Sequence, residues 1–221
     1  IIMGQKVHPT AYRLGKIFET KSTWYADAKS YPKQLLEDNK IRRFLENRLN
    51  LAGLTHTEIK RSINTVDIHV FVSRPGVVIG RGGSGLDILK KELNKLVLGT
   101  ETPPKNHPIK INIHPEEVQN PDVSAPLVLD RLKSQIERRY PHRRAVSQAI
   151  EKAMTSGAKG IKVTFSGRIN GADIGRTETY KQGRVPTQTI RANIDYAEGP
   201  ALTRSGYVGI KVWIYTGDIV K

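Results

Sequence analysis

The segment Gly80–Gly85 carries the most specific chemical signal in the chain, because it holds four glycines in the order Gly-Arg-Gly-Gly-Ser-Gly. Glycine has no Cβ atom, so its backbone amide can approach a phosphate closely. The apolar spacing after this segment predicts a helix, whose positive amino-terminal end would point at the same phosphate. Arg81 adds a cation at the tip of the loop. We therefore interpret the segment as a candidate phosphate-binding loop.

The same glycines fit the dinucleotide fingerprint GxGxxG, which needs a full strand running into the glycines and an acidic residue about 20 positions later. Only Val77–Ile79 separates Pro75 and Gly76 from the glycines, which is too short for a central strand. Glu101 stands at about the right distance but falls in a proline-rich loop, Thr100–Pro108, and a P-loop would need Gly-Lys-Ser/Thr at its end. A nucleotide-dependent enzyme is therefore a weak alternative, and a plain glycine turn is the other.

The second pattern is GxxG, formed by Gly80 and Gly83, which in KH domains clamps a nucleic-acid backbone. A KH domain places this loop in the order helix, strand, strand, helix, GxxG, helix, strand. Apolar periodicity predicts the same order here. The expected elements are a helix over Lys33–Ala52, strands over Thr57–Ile63 and Val66–Ser73, a helix with its apolar face from Leu86 to Val97, and a strand over Ile109–Ile113.

A dense group of cations follows on a predicted pair of helices. Their apolar stripes run from Ala125 to Ile136 and from Val146 to Met154, with Pro141 in the first turn of the second helix. A charge run on a helix is usually a solvated face, but the strongly basic chain favours phosphate contact here. The candidate phosphate-binding residues are Arg131, Lys133, Arg138, Arg139, Arg143 and Arg144.

The remainder of the chain is expected to form strands, at Ile161–Phe165, Ile190–Ile194 and Ile210–Ile214, with a hairpin turn signal at Asn170 and Gly171. Basic residues are scattered along these strands and their loops. They define an expected second contact surface for RNA or protein, formed by Arg168, Arg176, Lys181, Arg184, Arg191 and Arg204.

Composition agrees with a nucleic-acid partner. The chain of 221 residues has a net charge of +15, spread over both halves, and such an excess repels itself unless a polyanion neutralises it. It has no cysteine, and its six histidines show no metal-ligand spacing, so we expect no metal, no cofactor and no enzymatic activity. No apolar run approaches the roughly 18 residues that span a bilayer, so no membrane partner is expected.

The predicted fold class is α+β with two domains. Residues 1–31 form a basic, aromatic amino-terminal arm expected to order against a partner, 32–117 a type II KH domain, and 118–221 a carboxy-terminal domain of two helices and an antiparallel sheet. The segment Glu116–Ser124 has no periodicity and is the expected linker.

With these elements in place, the chain resembles the S-three family of small-subunit ribosomal proteins, most closely the bacterial or organellar form. The resemblance extends over nearly the whole chain, through the segments Gly4–Pro9, Arg13–Gly15, Arg74–Gly80, Ser166–Arg168, Gly183–Pro186, Ile194–Tyr196 and Gly209–Ile214.

This resemblance implies binding to small-subunit ribosomal RNA, contact with messenger RNA where it enters the subunit, and help in unwinding message structure. The family's basic cluster at that point looks like Arg-Arg-x-x-Lys; Arg143 and Arg144 match it, but Ser147 replaces the lysine. The implied neighbours are the head and channel proteins S-ten, S-fourteen, S-four and S-five, in a cytoplasmic or organellar ribosome. The alternative is a free KH-type regulator of messenger RNA.

Overall fold

The computed structural model describes residues 6–98 and 110–219. The expected proline-rich loop Thr100–Pro108 and Ile109 of the expected strand lie outside the described residues. Contacts divide the chain into two compact units. One is Thr20–Gln119, and the other combines Ile1–Glu19 with Asn120–Lys221.

Among the described residues, the expected helices and strands occur in the expected order. The helices are α1 (Pro9–Arg13), α2 (Tyr31–Arg48), α3 (Pro75–Ile79), α4 (Ser84–Leu98), α5 (Ala125–Glu137) and α6 (His142–Thr155). The strands are β1 (Ser22–Thr23), β2 (Leu54–Arg61), β3 (Thr65–Val72), β4 (Lys110–Glu117), β5 (Gly160–Gly167), β6 (Arg176–Gly183), β7 (Ala192–Thr203) and β8 (Gly206–Asp218). Three of these described elements were not expected from the sequence, namely α1, β1 and β6.

The unit Thr20–Gln119 contains a sheet in the order β1-β2-β3-β4. β2 and β3 are antiparallel, whereas β4 runs parallel to β3, as a strand reached through an intervening helix can. The strict alternation predicted for β3 is confirmed, since Val66, Ile68, Val70 and Val72 are all buried. These residues share one core with α2 and α4, formed chiefly by Ile41, Leu45, Ile59, Ile68, Val70 and Leu93.

A buried carboxylate joins the first residues of this unit to the rest of it. Asp38 on α2 is 2% exposed and accepts hydrogen bonds from Ser22 Oγ, at 3.2 Å, and from Trp24 Nε1, at 2.8 Å. Arg61 closes the set with a 2.6 Å ion pair to Asp38. A carboxylate is tolerated in this position because donors surround it. Residues 20–31 of the expected arm therefore belong to this unit.

The second unit packs α5 and α6 on one face of an antiparallel sheet in the order β6-β5-β8-β7. The predicted period-two pattern of β5 is confirmed, because Ile161, Val163 and Phe165 are each 0% exposed. With the first unit, this arrangement confirms the α+β fold class.

The turn signal at Asn170 and Gly171 does lie between the antiparallel strands β5 and β6, but the connection is longer than a two-residue hairpin. The last paired residues are Gly167 and Arg176, and a short 3-10 turn, Ile169–Gly171, lies within the connection. Asn170 and Gly171 have φ values of 56° and 80°, the left-handed conformation that these residue types tolerate best.

The most buried cation in the second unit is Arg13, at the end of α1, which is 0% exposed. Its Nε donates to the carbonyl oxygen of Ala192 and its Nη1 to that of Pro9, both at 2.8 Å. Its Nη2 donates to the carbonyl oxygens of Thr187 and Thr189, at 3.0 and 2.8 Å. The guanidinium thus fastens residues 6–19 to the start of β7.

Candidate nucleic-acid interface

Two of the four loop glycines are required by close packing. A Cβ atom at Gly80 would lie 2.9 Å from the amide nitrogen of Gly85, and one at Gly85 would lie 2.6 Å from the carbonyl oxygen of Val78. No side chain fits at either distance, so these glycines allow the short helix α3 and the start of α4 to approach each other. They set the position of the loop between the helices.

The other two glycines face open space. Gly82 and Gly83 have φ values of 61° and 83°, and a Cβ atom at either would meet nothing within 4 Å. Arg81 is exposed beside them, and its carbonyl oxygen accepts a hydrogen bond from Ser84 Oγ at 2.9 Å. Helix α4 starts directly at Ser84, so the loop offers open backbone and a positive helix end on one side.

The predicted cation group splits into exposed and partnered members. Arg131 forms a 2.6 Å ion pair with Asp122, and Lys133 is half-buried. By contrast, the arginines around the turn from α5 to α6 are all exposed. Within the described part of the chain these four have no carboxylate partner: Arg138, Arg139, Arg143 and Arg144.

The turn itself is tight. Arg139 has a φ of 61°, which is uncommon for a residue with a side chain and is often found where surrounding structure fixes the backbone. This backbone reversal brings the end of α5 and the start of α6 together. The four exposed arginines therefore lie in one short stretch of surface.

A buried histidine, His142, anchors the amino-terminal end of α6. His142 is 4% exposed, and its two ring nitrogens contact Asn170 Oδ1 at 3.0 Å and Glu178 Oε2 at 2.9 Å. Hydrogen bonds from Tyr180 and His142, with Arg176 close by, lower the pKa of Glu178 from 4.5 to about 2. This network ties the helix that carries Arg143 to strand β6.

The residues of the expected second contact surface also fall into two groups, one paired with carboxylates and one exposed. Three of its arginines are paired with carboxylates, in the pairs Arg168–Asp173 at 3.3 Å, Arg176–Glu178 at 2.7 Å and Arg191–Asp218 at 3.1 Å. The other three residues are exposed, and no ion pair involves them in the residues that the structure describes: Lys181, Arg184 and Arg204.

Sequence reasoning counted Lys6 only among the cations of the amino-terminal arm and missed Lys162, which lies close to both Lys6 and Lys181. Lys162 alternates with the buried residues Ile161 and Val163, so the period of β5 already placed its side chain on the outer face. The sequence does not contain the strand register that sets Lys162 opposite Lys181, nor the fold of residues 6–19 onto the same unit.

Over residues 6–98 and 110–219, no group of three or more histidine and acidic side chains is arranged to hold a metal ion. No helix within those ranges is long and apolar enough to cross a membrane.

The helix–strand–strand–helix–GxxG–helix–strand order and the open glycine loop define a KH protein of type II. A KH domain family matches residues 40–123, and the family described as "Ribosomal protein S3, C-terminal domain" matches residues 132–214.

Three relatives extend the similarity over the full chain, each named small ribosomal subunit protein uS3. The protein of Caldicellulosiruptor bescii is 46% identical, covering 99% of this chain and 94% of its own length. That of Synechocystis sp. is 47% identical (99% and 88%), and that of Clostridium botulinum 43% identical (99% and 94%). The chain belongs to the uS3 family of ribosomal proteins.

Proposed function

We propose that this chain is a structural constituent of the small ribosomal subunit in the cytoplasm, where it binds ribosomal RNA and contacts messenger RNA at the point where the message enters. Membership of the uS3 family supports the assignment to the subunit. The open loop at Gly82 and Gly83 supports the RNA contact, because its backbone is unobstructed and lies beside the positive end of α4.

The observation that carries the messenger-RNA contact is the group of four exposed arginines around the turn from α5 to α6. Arginine in this setting binds phosphate through a planar fork of donors. Because the described residues supply no carboxylate to these four side chains, their charge is available to an external polyanion. Cations here would hold single-stranded phosphates and oppose re-pairing of message structure.

Ser147 stands where the resembled cluster has lysine. It is exposed on α6, one turn after Arg143, and its Oγ donates to the carbonyl oxygen of Arg143 at 3.0 Å. A lysine in this position would project from the same exposed stretch of helix without displacing a buried side chain. We therefore expect Ser147→Lys to raise the affinity for RNA.

The test is the rate of elongation on messages with and without a stable hairpin, with ribosomes matched for assembly. Arg143→Ala with Arg144→Ala should slow translation more on the hairpin message, and Ser147→Lys should act in the opposite direction. The matched control is Arg43→Ala with Arg48→Ala, two exposed arginines on α2 of the other unit. Equal slowing on both messages would mean that Arg143 and Arg144 have no part in unwinding.

The proposed neighbours are ribosomal proteins S-ten, S-fourteen, S-four and S-five, for which Lys181, Arg184 and Arg204 are exposed candidate contacts. A free KH regulator of messenger RNA is the competing function, and gradient sedimentation of a cell extract separates the two. The proposal expects the protein in the small-subunit fractions, whereas a free regulator would sediment at the top of the gradient.

A further inference from the structure

The sheet of the second unit has an outer face that α5 and α6 do not cover. Strand register places four side chains of that face in one row across the sheet, which consists of Lys181, Lys162, Trp213 and Tyr196. The next row consists of Thr179, Thr164, Lys211 and Glu198. Polar and aromatic groups therefore occupy these rows, and of them Trp213 packs against the small apolar cluster of Ala192, Ile194 and Tyr215.

The amino-terminal segment turns this face into a groove. Residues from Lys6 to Tyr12 border the rows, and together they enclose a groove of about 730 Å³. Its floor includes the hydroxyl groups of Thr164 and Thr179, which are 3.2 Å apart across β5 and β6. The groove is thus lined by hydrogen-bonding side chains together with apolar and aromatic ones, among them Val7, Pro9 and Trp213.

Lys6 and Lys162 line this groove, and Lys181 lies beside Lys162 on the neighbouring strand β6. Lys162 and Lys181 are direct cross-strand partners, an arrangement that is destabilising for like charges. Burial and the nearby side chains of Lys6 and Lys181 lower the pKa of Lys162. None of the three lysines is paired with a carboxylate in the part of the chain that the structure describes.

The nearby acidic group does not relieve this repulsion. Glu198 pairs with Lys211 at 3.4 Å and accepts a hydrogen bond from the Tyr196 hydroxyl at 2.5 Å, so its charge is already engaged. Lys162 Nζ instead lies 4.8 Å from the centre of the Trp213 ring. An external anion between Lys6, Lys162 and Lys181 would relieve the repulsion.

We propose that this groove is an RNA-binding site, separate from the glycine loop and from the arginines at the α5–α6 turn. One phosphate lies between Lys6, Lys162 and Lys181, and the strand continues along the hydroxyl groups of the second row, which can donate to phosphate or accept from a 2′-OH. An acidic protein segment is less favoured. The groove places lysines and hydroxyl groups beside the rings of Tyr12 and Tyr196, and such rings can stack on the bases of a nucleotide strand.

The site-resolved test is chemical acetylation of lysines in the full-length protein, read by mass spectrometry with and without saturating oligouridylate. RNA should slow acetylation at Lys6, Lys162 and Lys181 and leave the exposed lysines of α2, Lys33 and Lys40, unchanged. The measurement is repeated with Arg143→Ala and Arg144→Ala present. Protection that persists in this background supports the groove even if the proposed channel contact fails.

Affinity provides the second measurement, by fluorescence anisotropy of labelled oligouridylate in the same arginine-deficient background. Lys162→Gln with Lys181→Gln should lower the association constant roughly fivefold for each contact at about 0.1 M salt, and make the salt slope shallower by about 0.7 per contact. Lys33→Gln with Lys40→Gln is the control with an equal change of charge.

Three results would overturn the proposal. One is unchanged acetylation of Lys162 and Lys181 when RNA is bound, and another is an equal loss of affinity in the control variant. The third is protection by polyglutamate but not by oligouridylate, which would assign the groove to an acidic protein partner.

Discussion

Glu178 joins helix α6 to strand β6 through a single carboxylate. It accepts a hydrogen bond from Tyr180 at 2.6 Å, contacts His142 at 2.9 Å and pairs with Arg176 at 2.7 Å. Each contact is stronger when the carboxylate is ionised, which is why its pKa falls to about 2. The contact with His142 ties this acid to the first residue of α6, the helix that carries Arg143 and Arg144.

Glu178→Gln should therefore make stability less dependent on pH. The folded-state pKa of about 2 lies below the ordinary value of 4.5, so the ionised form contributes stability fully above pH 4.5 and loses it as the pH falls through about 2. The variant should be less stable than the parent at pH 7, and the difference should vanish near pH 2. Urea unfolding at a series of pH values measures it.

Glu151→Gln is the matched control, since Glu151 is exposed on α6 and makes no ion pair among the described residues. It should leave the pH dependence unchanged. A constant difference in stability between the Glu178 variant and the parent at every pH would show that the carboxylate acts through packing alone.

At the scale of elements, the loop between α3 and α4 has two closely packed glycines, Gly80 and Gly85, and two that face open space, Gly82 and Gly83. Gly82→Asp adds a carboxylate in open space at a φ of 61°, which aspartate and asparagine tolerate. We expect it to weaken binding of single-stranded RNA by the full-length protein while lowering stability by no more than about 1 kcal/mol.

Gly82→Asn has nearly the same shape without the charge and should bind RNA almost as the parent does. Gly80→Ala should behave differently, lowering stability through its contact with Gly85. Thermal melts and RNA titrations of the three variants separate these effects. If Gly82→Asp and Gly82→Asn bind RNA equally well, then the loop does not contact phosphate.

The elements of this fold could be predicted from local patterns, and their pairings could not. Alternation in β3 and β5 and the glycine after α6, Gly157 with a φ of 98°, are visible in the sequence because local backbone preferences produce them. The turn signal at Asn170 correctly predicted a connection between β5 and β6 but predicted too short a loop. The loop is longer because the pairing of the two strands ends at Gly167 and Arg176. Ion pairs such as Arg131–Asp122 depend on the tertiary fold, so the sequence alone overstated the number of free cations.

At the scale of the whole molecule, Arg13 joins the amino-terminal segment to the second unit. Its four short hydrogen bonds all end on backbone carbonyls of that unit. Arg13→Ala leaves these carbonyls without a donor, and we expect a loss of about 3 kcal/mol or more in that unit. The unit Thr20–Gln119 should keep its stability, because Arg13 makes none of its contacts there.

Hydrogen exchange followed by mass spectrometry distinguishes the two units in one experiment. In Arg13→Ala, amide hydrogens should exchange faster than in the parent only in residues 6–19 and in the strands around Ala192. Arg13→Lys keeps the charge but not the fork of donors, so it should restore only part of the protection. Uniformly faster exchange in both units would contradict this assignment, and so would full rescue by lysine.

The Arg13 contact also has a consequence for how the chain folds as it is synthesised. The carbonyl that Arg13 Nε binds belongs to Ala192, 179 residues later, so the segment with Arg13 cannot dock until the chain as far as Ala192 has been synthesised. The unit Thr20–Gln119 contains all its own strands and can fold earlier, as amino-terminal domains generally do during synthesis. The second unit must close the loop of 179 residues between Arg13 and Ala192, and such long-range closure is slow. A nascent chain stalled before Ala192 should therefore carry a folded first unit and an undocked amino terminus, which leaves the basic residues Lys6 and Arg13 accessible to RNA while the subunit is being assembled.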